Sequence, residues 1–356
     1  MTFFFTRALD SFLGRGDSAI TVPALDGVLR PNRRLDDAPE RIPVAAPSGI
    51  VASHDGLVAG SGNELLLLAA GDRSRILHRA GAAISCLAPA AGGIAMGLED
   101  GRIVIAGGEF DGVVFPAVDG ARCPTALTEE DGALYVCHGS AQNLPTAWQR
   151  DLMERNASGS VWRLDLRSGR HHRIAGGLAY PAGIALSDDG LIVSESWRHR
   201  IILLDRDSGA VRRQLQGDLP GYPGHIGGRP GGYVMTMFAP RNQLVEFILR
   251  ENAYRRRMMA EIEPAYWVAP TWRSGRSFYE PLQGGGVKHL GILKPWAPTL
   301  SFGMVVLLDG QGLPCDSFQS RADGATHGIT GAVVIGNSLY AASRGDDVVV
   351  RLDLDS

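Results

Sequence analysis

Apolar runs in this chain alternate with short polar breaks in a phrase that returns six times. In the clearest copy Pro181-Ala-Gly-Ile-Ala-Leu-Ser187 is followed by an Asp188-Asp-Gly190 break and then by Leu191-Ile-Val-Ser-Glu195. Residues 47–59 and 124–136 repeat it closely, and fainter copies run over 92–105, 223–237 and 329–342. Each phrase predicts two short strands joined by a tight turn, because Asp-Gly and Gly-Asn accept the positive φ that hairpin turns require. Gly56, Gly93, Gly132, Gly190 and Gly232 follow one another at intervals of 37, 39, 58 and 42 residues. A step of about 40 residues carrying about four strands is that of a propeller blade. The pattern therefore predicts an all-β fold, a six-bladed β-propeller over residues 41–355. Residues 1–40 form an arm expected to supply the strand that closes the ring against the last blade.

Two intervals are too long for this rhythm and predict insertions at about 141–158 and 240–300. In the first, Thr146 to Glu154 reads as a short helix. In the second, Asn242 to Ile262 has helical character, with Leu244, Phe247, Ile248 and Met258 at helical spacing beside Arg255-Arg-Arg257. Trp267, Trp272, Gly284-Gly-Gly286 and Pro295-Trp296 come next. An aromatic-rich insertion of this length is expected to cover one mouth of a propeller channel as a helical and loop lid.

Composition adds limits. Apolar residues make up 45% and charged residues 21%, an ordinary globular balance, and a net charge of −3 gives no broad footprint for nucleic acid. Cys86, Cys123, Cys137 and Cys315 form no Cys-x-x-Cys pair, which argues against a zinc knuckle or redox motif. No apolar stretch reaches membrane-spanning length. The N-terminal Phe3-Phe-Phe5 run is broken by Arg7 and Asp10 and lacks a secretory pattern, so a cytoplasmic location is expected.

The stretch Tyr180 to Glu195, with Arg200-Ile201 and Leu219-Pro-Gly-Tyr-Pro-Gly-His-Ile226, resembles the strictosidine-synthase-like family, as do Phe302 to Gly312 and Gly331 to Leu354. That family shares its six-bladed superfamily with the SMP-30/gluconolactonase and paraoxonase enzymes. The resemblance implies a small molecule in the central channel and, by superfamily, ester or lactone hydrolysis or strictosidine-synthase-type condensation. In the lactonase relatives an axial calcium is held by Glu, Asn and Asp at stations that look like Ser48, Thr125, Ala182 and Gly224-His225 here. None of these is a carboxylate, and calcium takes six to eight hard oxygen ligands. The expectation is no axial metal and no cofactor. The synthases' catalytic Glu has no counterpart in Thr326-His-Gly-Ile-Thr-Gly-Ala332.

No Gly-x-Ser-x-Gly elbow, His-Glu-x-x-His or phosphate-binding loop occurs. The remaining candidates are polar residues at the ends of inner strands. His225, Glu195, His138 and His327 are the expected catalytic set, with His as base near neutral pH and Glu as orienting group or acid. Tyr222, Trp197, Ser48, Thr125 and Arg344 are expected to contact the ligand, and Trp267, Trp272 and Trp296 to line an apolar wall. Two functions follow: a metal-independent ester or lactone hydrolase, or a non-catalytic propeller that binds a small molecule or a protein.

Overall fold

Six four-stranded antiparallel sheets surround a central axis in the computed structural model, which describes residues 22–69, 74–281, 288–289, 292–293 and 299–354. The N-terminal aromatic run, Gly284–Gly286 and Trp296 lie outside the described residues. Blade I comprises Pro47–Ser53, Gly56–Ser61, Glu64–Leu67 and Arg75–Arg79. Blade II comprises Ile84–Ala90, Gly93–Leu98, Ile103–Ala106 and Val114–Phe115. Blade III comprises Pro124–Glu130, Ala133–His138, Gly159–Asp165 and His171–Leu178. Blade IV comprises Pro181–Ser187, Gly190–Glu195, Arg200–Leu204 and Val211–Gln216. Blade V comprises Gly221–Arg229, Gly232–Pro240, Gly303–Asp309 and Pro314–Ser320. Blade VI comprises Ile329–Ile335, Ser338–Ser343 and Val348–Asp353, and its fourth strand is Glu40–Pro43 from the other end of the chain. Glu40 pairs with Arg351 and Pro43 with Val348, which closes the ring.

The recurring phrase is the first hairpin of each blade. Its turn conformations follow from residue chemistry: Ala91 and Gly92 both have positive φ (45° and 80°), as do Asp131 and Gly132 (51° and 76°), the primed geometry that matches strand twist. Apolar residues on opposing sheet faces then build six interblade cores. Blades III and IV, for example, bury Tyr135, Cys137, Val161, Ile184, Val193 and Ile202 between them.

Six blades repeat one irregularity. In every first hairpin the register shifts between the first and third residues of the innermost strand, a β-bulge at Ser48, Ser85, Thr125, Ala182, Tyr222 and Thr330. Blade V shifts again between Pro223 and Ile226, so Gly224 and His225 are also unpaired. Bulges re-aim side chains. Three bulge hydroxyls reach across to the next blade: Ser85 donates to the Pro124 carbonyl (2.8 Å), Thr125 to Pro181 (2.5 Å) and Thr330 to Pro47 (2.8 Å). Blade IV has Ala182 at this station, and Ser194 and Ser196 reach blade V instead, donating to Gly224 and Pro223.

The insertions fold onto one end of the ring. Trp148–Glu154 forms helix α1, Gln243–Arg250 forms α2 and Asn252–Glu261 forms α3. The expected single helical stretch over 242–262 is thus two helices, broken at Glu251 (φ −81°, ψ 80°). The Asn242 side chain caps α2 by accepting from the Leu244 N–H (2.9 Å), which turns Val245 and Ile248 inward and leaves Leu244 and Phe247 exposed. Trp148, Leu152 and Met153 of the first insertion and Val245, Ile248, Met258 and Trp267 of the second share one apolar cluster with Tyr180, Tyr222 and Phe238. Among the described residues no helix is long and apolar enough to cross a membrane.

Candidate functional site

Bulge residues and a few residues of the two insertions, among them Trp148 and Trp272, line an axial cavity of about 170 Å³. Its floor is made by Ser48, Ser85, Thr125, Ala182, His225 and Thr330. Its walls are aromatic: Trp148, Tyr180, Trp197, Phe238 and Trp272. These rings brace one another, with centroids 4.9 Å apart for Trp148 and Trp272, 5.3 Å for Trp148 and Phe238, and 4.4 Å for the stacked Tyr180 and Trp197. Tyr180 sits in the left-handed region (φ 56°), a conformation that costs a bulky residue about 1–2 kcal/mol. Strain of this kind collects at sites where the surroundings dictate a side chain's aim.

Asp151, fully buried on α1, fixes part of this wall. One oxygen accepts from the Trp197 indole N–H (2.9 Å), and the other from the side-chain amides of Asn143 and Asn156 (3.0 Å each). Trp272 is held through its backbone. A methyl group on Gly345 would lie 2.2 Å from the Trp272 carbonyl oxygen, so only glycine lets the two segments meet. Trp267 is buried behind the wall, with its indole donating to the Ile262 carbonyl (2.9 Å).

Two charged groups enter the cavity from equivalent stations, each the residue after the second strand of its blade: Glu99 in blade II and Arg344 in blade VI. They sense each other without forming an ion pair. Desolvation pushes the Glu99 carboxyl above its usual range, and the Arg344 charge pulls it back. Desolvation likewise lowers the Arg344 guanidinium, against the opposing pull of Glu99 and Asp347. The hydroxyls of Ser48 and Thr236 and the Nδ1 of His225 also lack a hydrogen-bond partner, although all three residues line the cavity. Thr236 is fully buried, and its Oγ1 lies against Gly224, the residue before His225.

His225 is the one expected catalytic residue that lines this cavity. Burial lowers its pKa to about 4, so the ring is a neutral base at pH 7. It also borders the lower channel beneath, and so stands at the waist between the two. The other three lie elsewhere, and each has a structural task or a closed environment. Glu195, fully buried, accepts from the Ala179 N–H (2.8 Å), Arg198 (2.6 Å) and Arg200 (2.5 Å), tying the end of blade IV together. His327 lies between the Ser301 hydroxyl (2.7 Å at Nδ1) and the Arg321 carbonyl (2.7 Å at Nε2). The carbonyl only accepts, so Nε2 carries the proton and Nδ1 accepts from Ser301. Ser301 also accepts from the Ser274 N–H (2.8 Å), so His327 anchors the segment that leads to Trp272. His138 is buried in blade III with its pKa lowered to about 3, first by desolvation and then by the nearby His171.

Of the expected ligand contacts, Ser48, Thr125, Trp197 and Arg344 line the cavity, with the Thr125 hydroxyl engaged in its interblade bond. Tyr222 packs behind the wall on His199 and Phe238, fully buried. Glu99, Thr236, Trp148, Tyr180 and Phe238 belong to the site and are missed by motif reading. Glu99 stands in a Glu-Asp-Gly sequence that looks like a plain turn. Comparing the residue after the second strand across blades is the signal that pairs it with Arg344.

The donor set does not fit the axial calcium that the resemblance to lactonases would imply. Three floor hydroxyls are engaged between blades, Ala182 offers nothing, and the single cavity carboxylate faces a guanidinium. Among the described residues no group of three or more His, Cys, Asp or Glu converges. Cys86 and Cys123 are disfavoured as nucleophiles, since burial pushes their thiols up to about 12.

No protein-family model matches the chain, and no curated protein matches it in sequence. In three dimensions it is similar to a luciferin-regenerating enzyme (12% identity, 87% of this chain and 92% of that one, TM-score 0.50). It is similar to virginiamycin B lyase from Staphylococcus aureus (13% identity, 88% and 98%, TM-score 0.50). It is similar also to a calcium-binding protein, regucalcin, from Agrobacterium tumefaciens (12% identity, 88% and 93%, TM-score 0.50). What this chain shares with all three is the six-bladed propeller.

Proposed function

We propose that the protein is a metal-independent hydrolase of a small ester or lactone, with His225 as general base and the 240–300 insertion as lid. The observation that carries this reading is a neutral imidazole whose Nδ1 has no hydrogen-bond partner, on the lining of an aromatic-walled axial cavity that also includes two unpartnered hydroxyls. Water attacks the carbonyl carbon while His225 takes its proton. The carbonyl electron pair moves onto oxygen, where the Ser48 and Thr236 hydroxyls donate hydrogen bonds. Collapse re-forms the carbonyl and breaks the acyl–oxygen bond, and the imidazolium returns the proton to the leaving oxygen. A general base is worth about 10²–10⁴-fold in rate. The test is an ester and lactone panel on the native protein, His225→Ala and Thr236→Val, with and without chelator. Turnover that ignores chelator and vanishes in His225→Ala supports the reading, and turnover unchanged in His225→Ala sinks it.

One observation favours a second reading, a non-catalytic binding propeller: among the described residues no carboxylate accepts from His225 Nδ1 to fix the tautomer of its ring. Absence of turnover across the panel, with a small ligand raising the melting temperature, would select it.

A further inference from the structure

Arg344 is the unusual group in the cavity. Its backbone is fixed, with Arg344 N–H donating to the Gly328 carbonyl (3.0 Å) and Gly345 N–H to the His327 carbonyl (3.1 Å). Its guanidinium lies 5.7 Å from the Trp272 ring and makes no ion pair or hydrogen bond among the described residues. A partly desolvated cation is expected to find an anion. Glu99 shares the cavity but does not close on it, which leaves the planar fork free for a bidentate partner. The walls around it are flat rings, and the volume of about 170 Å³ is close to the 150 Å³ that accommodates benzene. Glu99, an acceptor, and the unpartnered hydroxyls of Ser48 and Thr236 belong to the lining of the same cavity.

We infer that the cavity takes a compact, ring-containing carboxylate. Its carboxylate pairs with Arg344, its ring lies on the tryptophan wall, and a hydroxyl or similar donor faces Glu99. This rests on the axial cavity being the active site and names its substrate class: an ester or lactone carrying a free carboxylate, or the hydroxy acid it releases.

The probes are 3- and 4-hydroxybenzoate, with benzamide and benzylamine as neutral and cationic counterparts, titrated into the intact protein by calorimetry and tryptophan fluorescence. A hydroxybenzoate should bind with Kd below about 1 mM, and the neutral and cationic rings at least about tenfold more weakly. Arg344→Met should cost the carboxylate about 10- to 100-fold and bring it to the benzamide level, with Arg344→Lys recovering part of the loss. Glu99→Gln should tighten carboxylate binding several-fold by removing a like charge. Equal affinity for benzamide or benzylamine, a carboxylate preference that survives in a folded Arg344→Met, or no binding of either hydroxybenzoate at about 10 mM would each overturn the inference. Binding needs no turnover, so the two readings fail separately. Carboxylate binding without hydrolysis removes the enzyme and keeps the ligand class, whereas turnover of neutral lactones independent of Arg344 does the reverse.

Discussion

The two ends of the channel are built from the same six innermost strands and differ in how far they obey the repeat. At the hairpin-turn end the channel widens into a space of about 990 Å³, lined by residues such as Ile50, Leu87, Ile184 and Ile226 and by turn backbone. At the strand-start end each blade carries a bulge, two insertions pack over the ring, and the space narrows to about 170 Å³ among aromatic rings. The repeat makes the scaffold, and at the strand-start end several polar groups on the cavity lining are left without partners. Ser48, Thr236, His225, Glu99 and Arg344 all sit at the irregular end, His225 alone touching both spaces.

The sharpest break of this contrast separates His225 from Glu195. Glu195→Ala leaves the Ala179 N–H and two guanidinium groups without their buried acceptor and should destabilise by about 3 kcal/mol, with activity per folded molecule retained. His225→Ala should reduce kcat/KM at least about 100-fold with little change in denaturant midpoint, because its Nδ1 has no partner to lose. Urea titration beside kinetics distinguishes them. If Glu195→Ala proved as stable as the native protein, its role as a clamp would be wrong.

Acid should act on scaffold and site together. His225 and His327 have folded pKa values lowered to about 4 and His138 to about 3, all below the unfolded value of about 6.5. The unfolded state therefore holds more protons in this range. Stability from burying neutral imidazoles is fully present above about pH 6.5 and is lost progressively as pH falls toward the folded values. Unfolding near pH 5 should take up close to three protons, readable as a steep fall in melting temperature. On the same basis kcat/KM should be level above about pH 5 and decline as His225 protonates near 4.

A smaller effect tests the wall. Gly345→Ala forces its methyl toward the Trp272 carbonyl and should push that segment off blade VI. Ligand affinity should drop about tenfold while blade packing, followed by far-ultraviolet circular dichroism, is unchanged. Smallest is a paired floor test. Thr125→Ala removes an interblade hydrogen bond and should cost about 0.5–1.5 kcal/mol, whereas Ser48→Ala, whose hydroxyl bonds nothing, should be neutral for stability and weaken binding several-fold. Equal stability losses at both positions would erase the distinction between spent and free hydroxyls.

The blade count and the first hairpins were legible in the chain, because each hairpin is specified locally by a turn whose residues tolerate positive φ and by period-two burial. The insertions were legible as breaks in spacing, and so were Trp197, Ser48, Arg344 and His225 as residues near strand ends. Tertiary structure decided the rest. Whether His138, His327 or Glu195 faces the axis depends on bulge register and on which backbone groups each meets, and neither is a local property. Glu99 and Arg344 are 245 positions apart in the chain and share a cavity only because the ring closes. Trp148 and Trp272 come from different insertions and form one wall because their apolar faces had no other surface to bury. Local turn chemistry sets the repeat, while closure of the ring sets the site.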